Sequence, residues 1–224
     1  PVRLSVDIRT HRFIAWDAEA TQSDDRMHDL LFRGARLIDG SGAPARLADV
    51  AVDAGLISAI CDAEHADQRP AARHVVECGG LVLAPGFIDA HTHDDALMLE
   101  KAPLQQAHPK LSQGVTTVVI GNCGISLAPL DAAVHHELPP PLNILKREAF
   151  RFTSVAAYLD ALAAQPPVCN VVTLLGHTSL RVKHLPDLQQ EASAKQAAAM
   201  AAEVGAALQQ GAWGLSTGVF YPPA

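Results

Sequence analysis

Past Pro85 the sequence settles into a new rhythm, and that rhythm constrains the fold more than any other feature. Val115 to Gly121 is a β-branched apolar run of strand length. Ser154 to Ala164 carries Val155, Leu159 and Leu162 on one helical face before Pro166-Pro167 stops it. Val171 to Leu175 reads as another strand. Ser193-x-x-Gln196 is a capping box inside an alanine-rich helix, where Met200, Val204 and Leu208 form a stripe ended by Gly211. AWGLSTG, residues 212 to 218, then reads as a fourth strand. Strands alternating with helices imply a parallel sheet, because neighbouring parallel strands need a crossover and a helix usually supplies it.

Before Pro85 the text differs. From Leu30 to about Leu83 it holds short β runs, LLFRGARLI, DVAV, LISAIC and HVVEC, separated by turn signals such as Asp39-Gly40-Ser41-Gly42. These runs predict a small β module. Residues 1 to 27 have no such pattern, and TQSDDR is simply polar. Met27 is a candidate natural start, which would make the first 26 residues a leader, a vector remnant or translated upstream sequence; an ordinary N-terminal extension fits them equally well. The expected division is therefore an extension over 1–27, a β segment over 28–84 and an α/β segment over 85–224.

Composition excludes several classes. With a formal net charge of -7 and 4% aromatic residues, the chain has no basic footprint for nucleic acid. No apolar run approaches the roughly 20 residues of a membrane span, and the N-terminus PVRLSVDIRTHRF lacks the apolar core of a signal peptide. The cytoplasm is the simplest location. Cys61, Cys78, Cys123 and Cys169 are too dispersed for a Cys-x-x-Cys motif, which argues against a disulfide framework or a zinc knuckle.

The chemistry concentrates in LVLAPGFIDAHTHDD, residues 81 to 95. His91 and His93 are two apart, so on an extended chain they share a face while Thr92 takes the other. Alone, a His-x-His is more often a pair of polar turn residues. Here Asp89, His91, His93, Asp94 and Asp95 follow directly on an apolar run, and such crowding of ionisable groups favours a metal site, with imidazole suited to zinc. Gly121-Asn122-Cys123-Gly124 ends the second strand; by itself it reads as a glycine-rich turn with an inert thiol.

These segments, together with LLFRGARLIDGSGAPARLADVAVDAGLISAI (30 to 60), SQGVTTVVIGNCGISLAPL (112 to 130), NVVTLLGHTSLR (170 to 181) and GAWGLSTGVFYPP (211 to 223), resemble the metal-dependent amidohydrolases, and specifically their D-aminoacylase branch. The resemblance implies a (β/α)8 barrel preceded by part of a β-sandwich. A whole barrel takes roughly 250 residues. Residues 85 to 224 number 140, so about four β/α units, half a barrel, are expected. An unclosed barrel exposes an edge and apolar interior, for which a second chain completing the barrel is one remedy.

The resemblance further implies that His91, His93 and Cys123 are zinc ligands, and that the substrate is an N-acyl-D-amino acid, hydrolysed to a carboxylate and a D-amino acid. The family's general-base aspartate and further metal histidines fall beyond residue 224, so this chain alone is expected to be inactive. Hydantoinase and dihydroorotase types use a carboxylated lysine on the fourth strand; AWGLSTGVF offers Ser216 and Thr217 but no lysine. His177, Arg181 and Tyr221 are weaker candidates for lining the substrate pocket, each equally readable as a turn, capping or packing residue. Asp89 either orients a metal histidine or accepts backbone hydrogen bonds in its turn, and His135-His136 read as a solvated loop. The competing class is a non-catalytic half-barrel that binds another polypeptide.

Overall fold

The computed structural model describes residues 27–63, 69–100, 109–134 and 138–220. It is a mixed α/β chain that divides into two compact units, with the boundary between Pro85 and Gly86. Residues 1–26, His135-His136 and Tyr221 lie outside the described residues.

The first unit is one five-stranded sheet. β1 (His28–Leu37) pairs antiparallel with β2 (Arg46–Asp53), and β2 with β3 (Leu56–Asp62). The β2–β3 hairpin closes through Ala54 and Gly55, with φ of 49° and 80°. Two consecutive positive φ values match the turn twist to the strand twist, so the hairpin closes in two residues. On its other side β1 runs parallel to β4 (Ala72–Glu77) and then β5 (Val82–Leu83). A bulge interrupts β1 between Phe32 and Ala35, and the Gly34 N–H released there donates to Asp49 Oδ1 at 2.6 Å. Asp49 is fully buried, but its other oxygen faces Arg69 Nε at 3.3 Å, so the charge is paired. Leu37, Ala48 and Val50 form the core of this unit, while Leu47, Leu56, Ile57, Val75 and Val76 stay exposed.

The second unit carries the parallel strands that the alternation predicts. β6 (Phe87–Asp89), β7 (Val115–Ile120) and β8 (Asn170–Thr173) form a parallel sheet in that order, and β9 (Leu175–Gly176) pairs parallel with β10 (Leu215–Ser216). The third predicted strand is thus broken at Leu174, and the fourth has only two paired residues. Among the described residues three α-helices lie between these strands: α1 (Val155–Ala164), α2 (His177–His184) and α3 (Ala194–Gln209). Ser154 caps α1 by accepting the Ala157 N–H, and Ser193 and Gln196 form the expected capping box on α3.

The helix faces are rotated from the sequence-based expectation. On α1 the buried residues are Val155, Tyr158 and Leu162, with Leu159 partly buried beside them. On α3 Leu208 is 47% exposed and Ala207 is buried instead. At about 100° per residue, position 207 lies about 20° from Met200 while 208 lies about 80° away. A small residue can face the core where the helix sits close to it, so side-chain size misleads there.

Tyr158 escapes the apolar pattern because a tyrosine does not advertise burial. Its ring packs edge-on against Phe152, with centroids 5.2 Å apart, and its hydroxyl donates to the buried Asp95 carbonyl at 2.8 Å. Tyr158→Phe should cost about 1–2 kcal/mol by leaving that carbonyl unpaired. Urea unfolding checks this, and a cost near zero would mean that water replaces the bond. No helix among the described residues is long and apolar enough to cross a membrane.

Candidate metal centre

β6 ends at Asp89, so His91 and His93 lie beyond the strand rather than on it. The chain nevertheless stays alongside β7, since the Thr92 N–H donates to the Val119 carbonyl at 3.2 Å. Thr92 is buried, His91 is exposed and His93 is half-buried. Alternation thus persists past the last ladder residue, and both imidazoles stand on the side opposite Thr92. Their ring centroids are 5.8 Å apart at an interplanar angle of 76°.

Lys110 secures the flanks of this segment. Its ammonium pairs with Asp89 Oδ2 at 2.5 Å and with Asp94 Oδ2 at 3.2 Å, so one cation holds the residues either side of the histidine pair. The hydrogen bond from Lys110 holds the Asp89 carboxyl below the usual carboxylate range, and the same bond raises Lys110. Asp89 Oδ1 accepts the His91 N–H at 3.2 Å. The turn reading of Asp89 therefore describes its contacts: it shapes the backbone and does not reach an imidazole nitrogen.

Cys123 arrives from the turn after β7. Gly121 and Gly124 both have φ of 78°, and Cys123 itself sits at φ 55°, a conformation few non-glycine residues adopt. The Asn122 side chain donates to the carbonyls of Val119 at 2.8 Å and of Thr92 at 3.3 Å, tying the cysteine turn to the peptide between the two histidines. Cys123 Sγ then lies 3.1 Å from His91 Nε2. One potential ligand atom each from His91, His93 and Cys123 fall within 4.8 Å of one another.

The donor set suits a cation. His93 Nδ1 is buried without a hydrogen-bond partner, a costly state that coordination or a small structural adjustment would relieve. Burial, followed by the neighbouring His91, lowers the His93 pKa, which favours the neutral imidazole that binds metal. Two imidazoles and a thiol are ligands that borderline metals such as zinc accept.

Asp95 is a buried acid that sequence reasoning does not single out. It is 1% exposed, and burial pushes its pKa up to about 7 despite hydrogen bonds from its own N–H and that of Gly121. In the sequence Asp95 stands out only as one member of the crowded acids, and Lys110 precedes the second strand with no motif around it.

His177 and Arg181 are not among the three grouped donors. His177 is the first residue of α2, half-buried, with its pKa lowered first by burial and then by Arg181. Arg181 uses Nη2 on the carbonyls of Leu188 at 2.7 Å and Gln190 at 3.2 Å, so it braces the loop after α2 instead of presenting its full fork to a carboxylate. In the first unit Asp53 and Ser58 both approach His28 Nδ1, at 2.7 and 3.0 Å. Because they share one nitrogen, those three residues do not form a serine-histidine-aspartate relay, which needs both ring nitrogens.

A model of the amidohydrolase family matches residues 74–222, well over half of the chain. The chain belongs to the amidohydrolase family. Among characterised amidohydrolases it is 50% identical over 197 residues to an N-acyl-D-aspartate deacylase of Alcaligenes xylosoxydans xylosoxydans, covering 88% of this chain and 38% of the relative. A crystal structure of D-aminoacylase superposes with a TM-score of 0.79 at 47% identity, over 88% of this chain and 40% of that one. The N-acyl-D-glutamate deacylase of Bordetella bronchiseptica, solved with zinc and a phosphonate mimic of the tetrahedral intermediate, gives a TM-score of 0.78 at 42% identity over the same shares. The chain thus spans about two fifths of the length of the amidohydrolases it matches.

Proposed function

We propose that this chain is the metal-carrying segment of a zinc-dependent N-acyl-D-amino-acid deacylase. The observation that carries the reading is the convergence of His91, His93 and Cys123, drawn from two strand ends, with a buried, unpartnered imidazole nitrogen among them. Likeness to deacylases of N-acyl-D-aspartate and N-acyl-D-glutamate supports the substrate class. An acidic D-side chain is the first to try.

On this reading residues 85–224 are the first strands and helices of a (β/α)8 barrel, with the ligands at strand C-terminal ends where such barrels place their sites. Residues 28–84 are a segment of a small β-sandwich. His91, His93 and Cys123 would hold zinc, which supplies Lewis acidity toward an acyl carbonyl. Asn122 and Lys110 keep the two ligand-bearing segments in place. Asp95, the second residue after His93, is buried. The general base is a carboxylate in the part of the longer protein that the relatives have and this segment does not cover.

The hydantoinase type is disfavoured because AWGLSTGVF, the segment around β10, carries no lysine. The test is hydrolysis of N-acetyl-D-aspartate, N-acetyl-D-glutamate and their L enantiomers by a complete protein carrying this segment. Cleavage of the D forms, lost in the His91→Ala, His93→Ala variant, is expected. Equal cleavage of the L forms, or full activity without the two histidines, would refute the reading.

A further inference from the structure

We propose that Ser216 is a positioning residue of the metal centre, one that shapes the Cys123 turn without touching a ligand itself. This rests on the zinc-site reading above. Cys123 occupies a left-handed backbone conformation between two left-handed glycines, a strained state for a non-glycine residue that persists only where neighbours enforce it. One of the enforcing contacts bonds to both ends of the turn, and it is a single hydroxyl. Ser216 Oγ accepts the Gly124 N–H at 3.0 Å and donates to the Gly121 carbonyl, so it closes the turn from one end to the other with Cys123 inside the span.

The hydroxyl comes from far along the chain. Ser216 lies on β10, paired in register with Gly176 of β9. A Cβ on Gly176 would stand 2.4 Å from the Gly124 carbonyl oxygen, so the strand pair is packed hard against the same turn. Asn122 ties the middle of the turn to the histidine segment, and Ser216 fixes its two ends. With its proton committed to Gly121 and an oxygen lone pair to Gly124, the hydroxyl is not free to act as a nucleophile. Its effect passes through the cysteine.

Cobalt-loaded protein tests this, because a thiolate ligand gives Co2+ a near-ultraviolet charge-transfer band that imidazoles alone do not. Ser216→Ala should weaken or shift that band and lower cobalt affinity, measured by chelator competition, by about 10–100-fold, the range for residues that orient metal ligands. Far-ultraviolet circular dichroism should remain that of the wild type, and Ser216→Thr should restore both band and affinity. In a Cys123→Ala background, Ser216→Ala should lower affinity no further, since coupled residues are not additive. Should the alanine variant fail to fold, Ser216→Val against Ser216→Thr gives the same comparison at nearly equal volume, with and without the hydroxyl.

An unchanged band and affinity in a folded Ser216 variant would overturn the proposal while leaving the metal site standing. The same loss of affinity with and without Cys123 would also overturn it. No cobalt band in the wild type would refute the cysteine-containing site itself, and this inference with it.

Discussion

Gly121→Ala is expected to destabilise the chain by about 3 kcal/mol or more, a large effect for the addition of one methyl group. Two costs add. At φ 78° an alanine pays the left-handed backbone penalty of roughly 1–2 kcal/mol. Its Cβ would also stand 2.1 Å from the Leu174 carbonyl oxygen and 2.9 Å from the carbonyl carbon, and backbone cannot swing aside as a flexible side chain can. Relief requires moving β7 away from the chain between β8 and β9, where the Leu174 N–H donates to the Ile120 carbonyl at 3.0 Å. Urea unfolding measures the loss, with Gly205→Ala as the contrast. Gly205 lies inside α3, and a methyl added there meets nothing within 4 Å, so that variant should gain about 0.5–1 kcal/mol. A Gly121→Ala chain within about 0.5 kcal/mol of the wild type would mean the close approach is not present in solution.

The second large effect is the loss of metal-linked stability. A ligand that binds only the folded chain stabilises it by about 2.7 kcal/mol at a free concentration about 100 times its Kd. Zinc titrated into the wild type should therefore raise the unfolding midpoint, and the rise should vanish in His91→Ala, His93→Ala. Cys123→Ala should shrink it. Without zinc, His91→Ala should unfold close to the wild type, because His91 is exposed and buries little side-chain area. Zinc-dependent stabilisation that survives loss of both histidines would place the metal elsewhere.

Spacing together with the crowded acids around it singles out the two histidines in the sequence, although neither stands on a paired strand. The strand itself ends at Asp89, and the shared face of His91 and His93 survives because Thr92 continues the extended geometry through one hydrogen bond to Val119. Cys123 is legible only through the family resemblance; nothing in GNCG shows that its turn returns toward the histidines. What brings it there is Asn122, whose role depends on the carbonyl of a residue 30 positions away. Lys110 and Ser216 are illegible for the same cause. Their partners lie 16 to 21 and 92 to 95 residues distant, and a polar side chain whose partner is remote leaves no local pattern.

The sequence by itself determined the alternation of strands and helices, the capping box of α3 and the shared face of His91 and His93, because each of these is encoded over a few neighbouring residues: apolar period, capping side chains, and His-x-His spacing. Tertiary structure alone decided which face of α3 is buried, how the cysteine turn is held, and which acids are paired and which are buried. Those outcomes depend on close approaches such as Gly121 to Leu174, and on burial, which exist only once distant strands have been brought side by side.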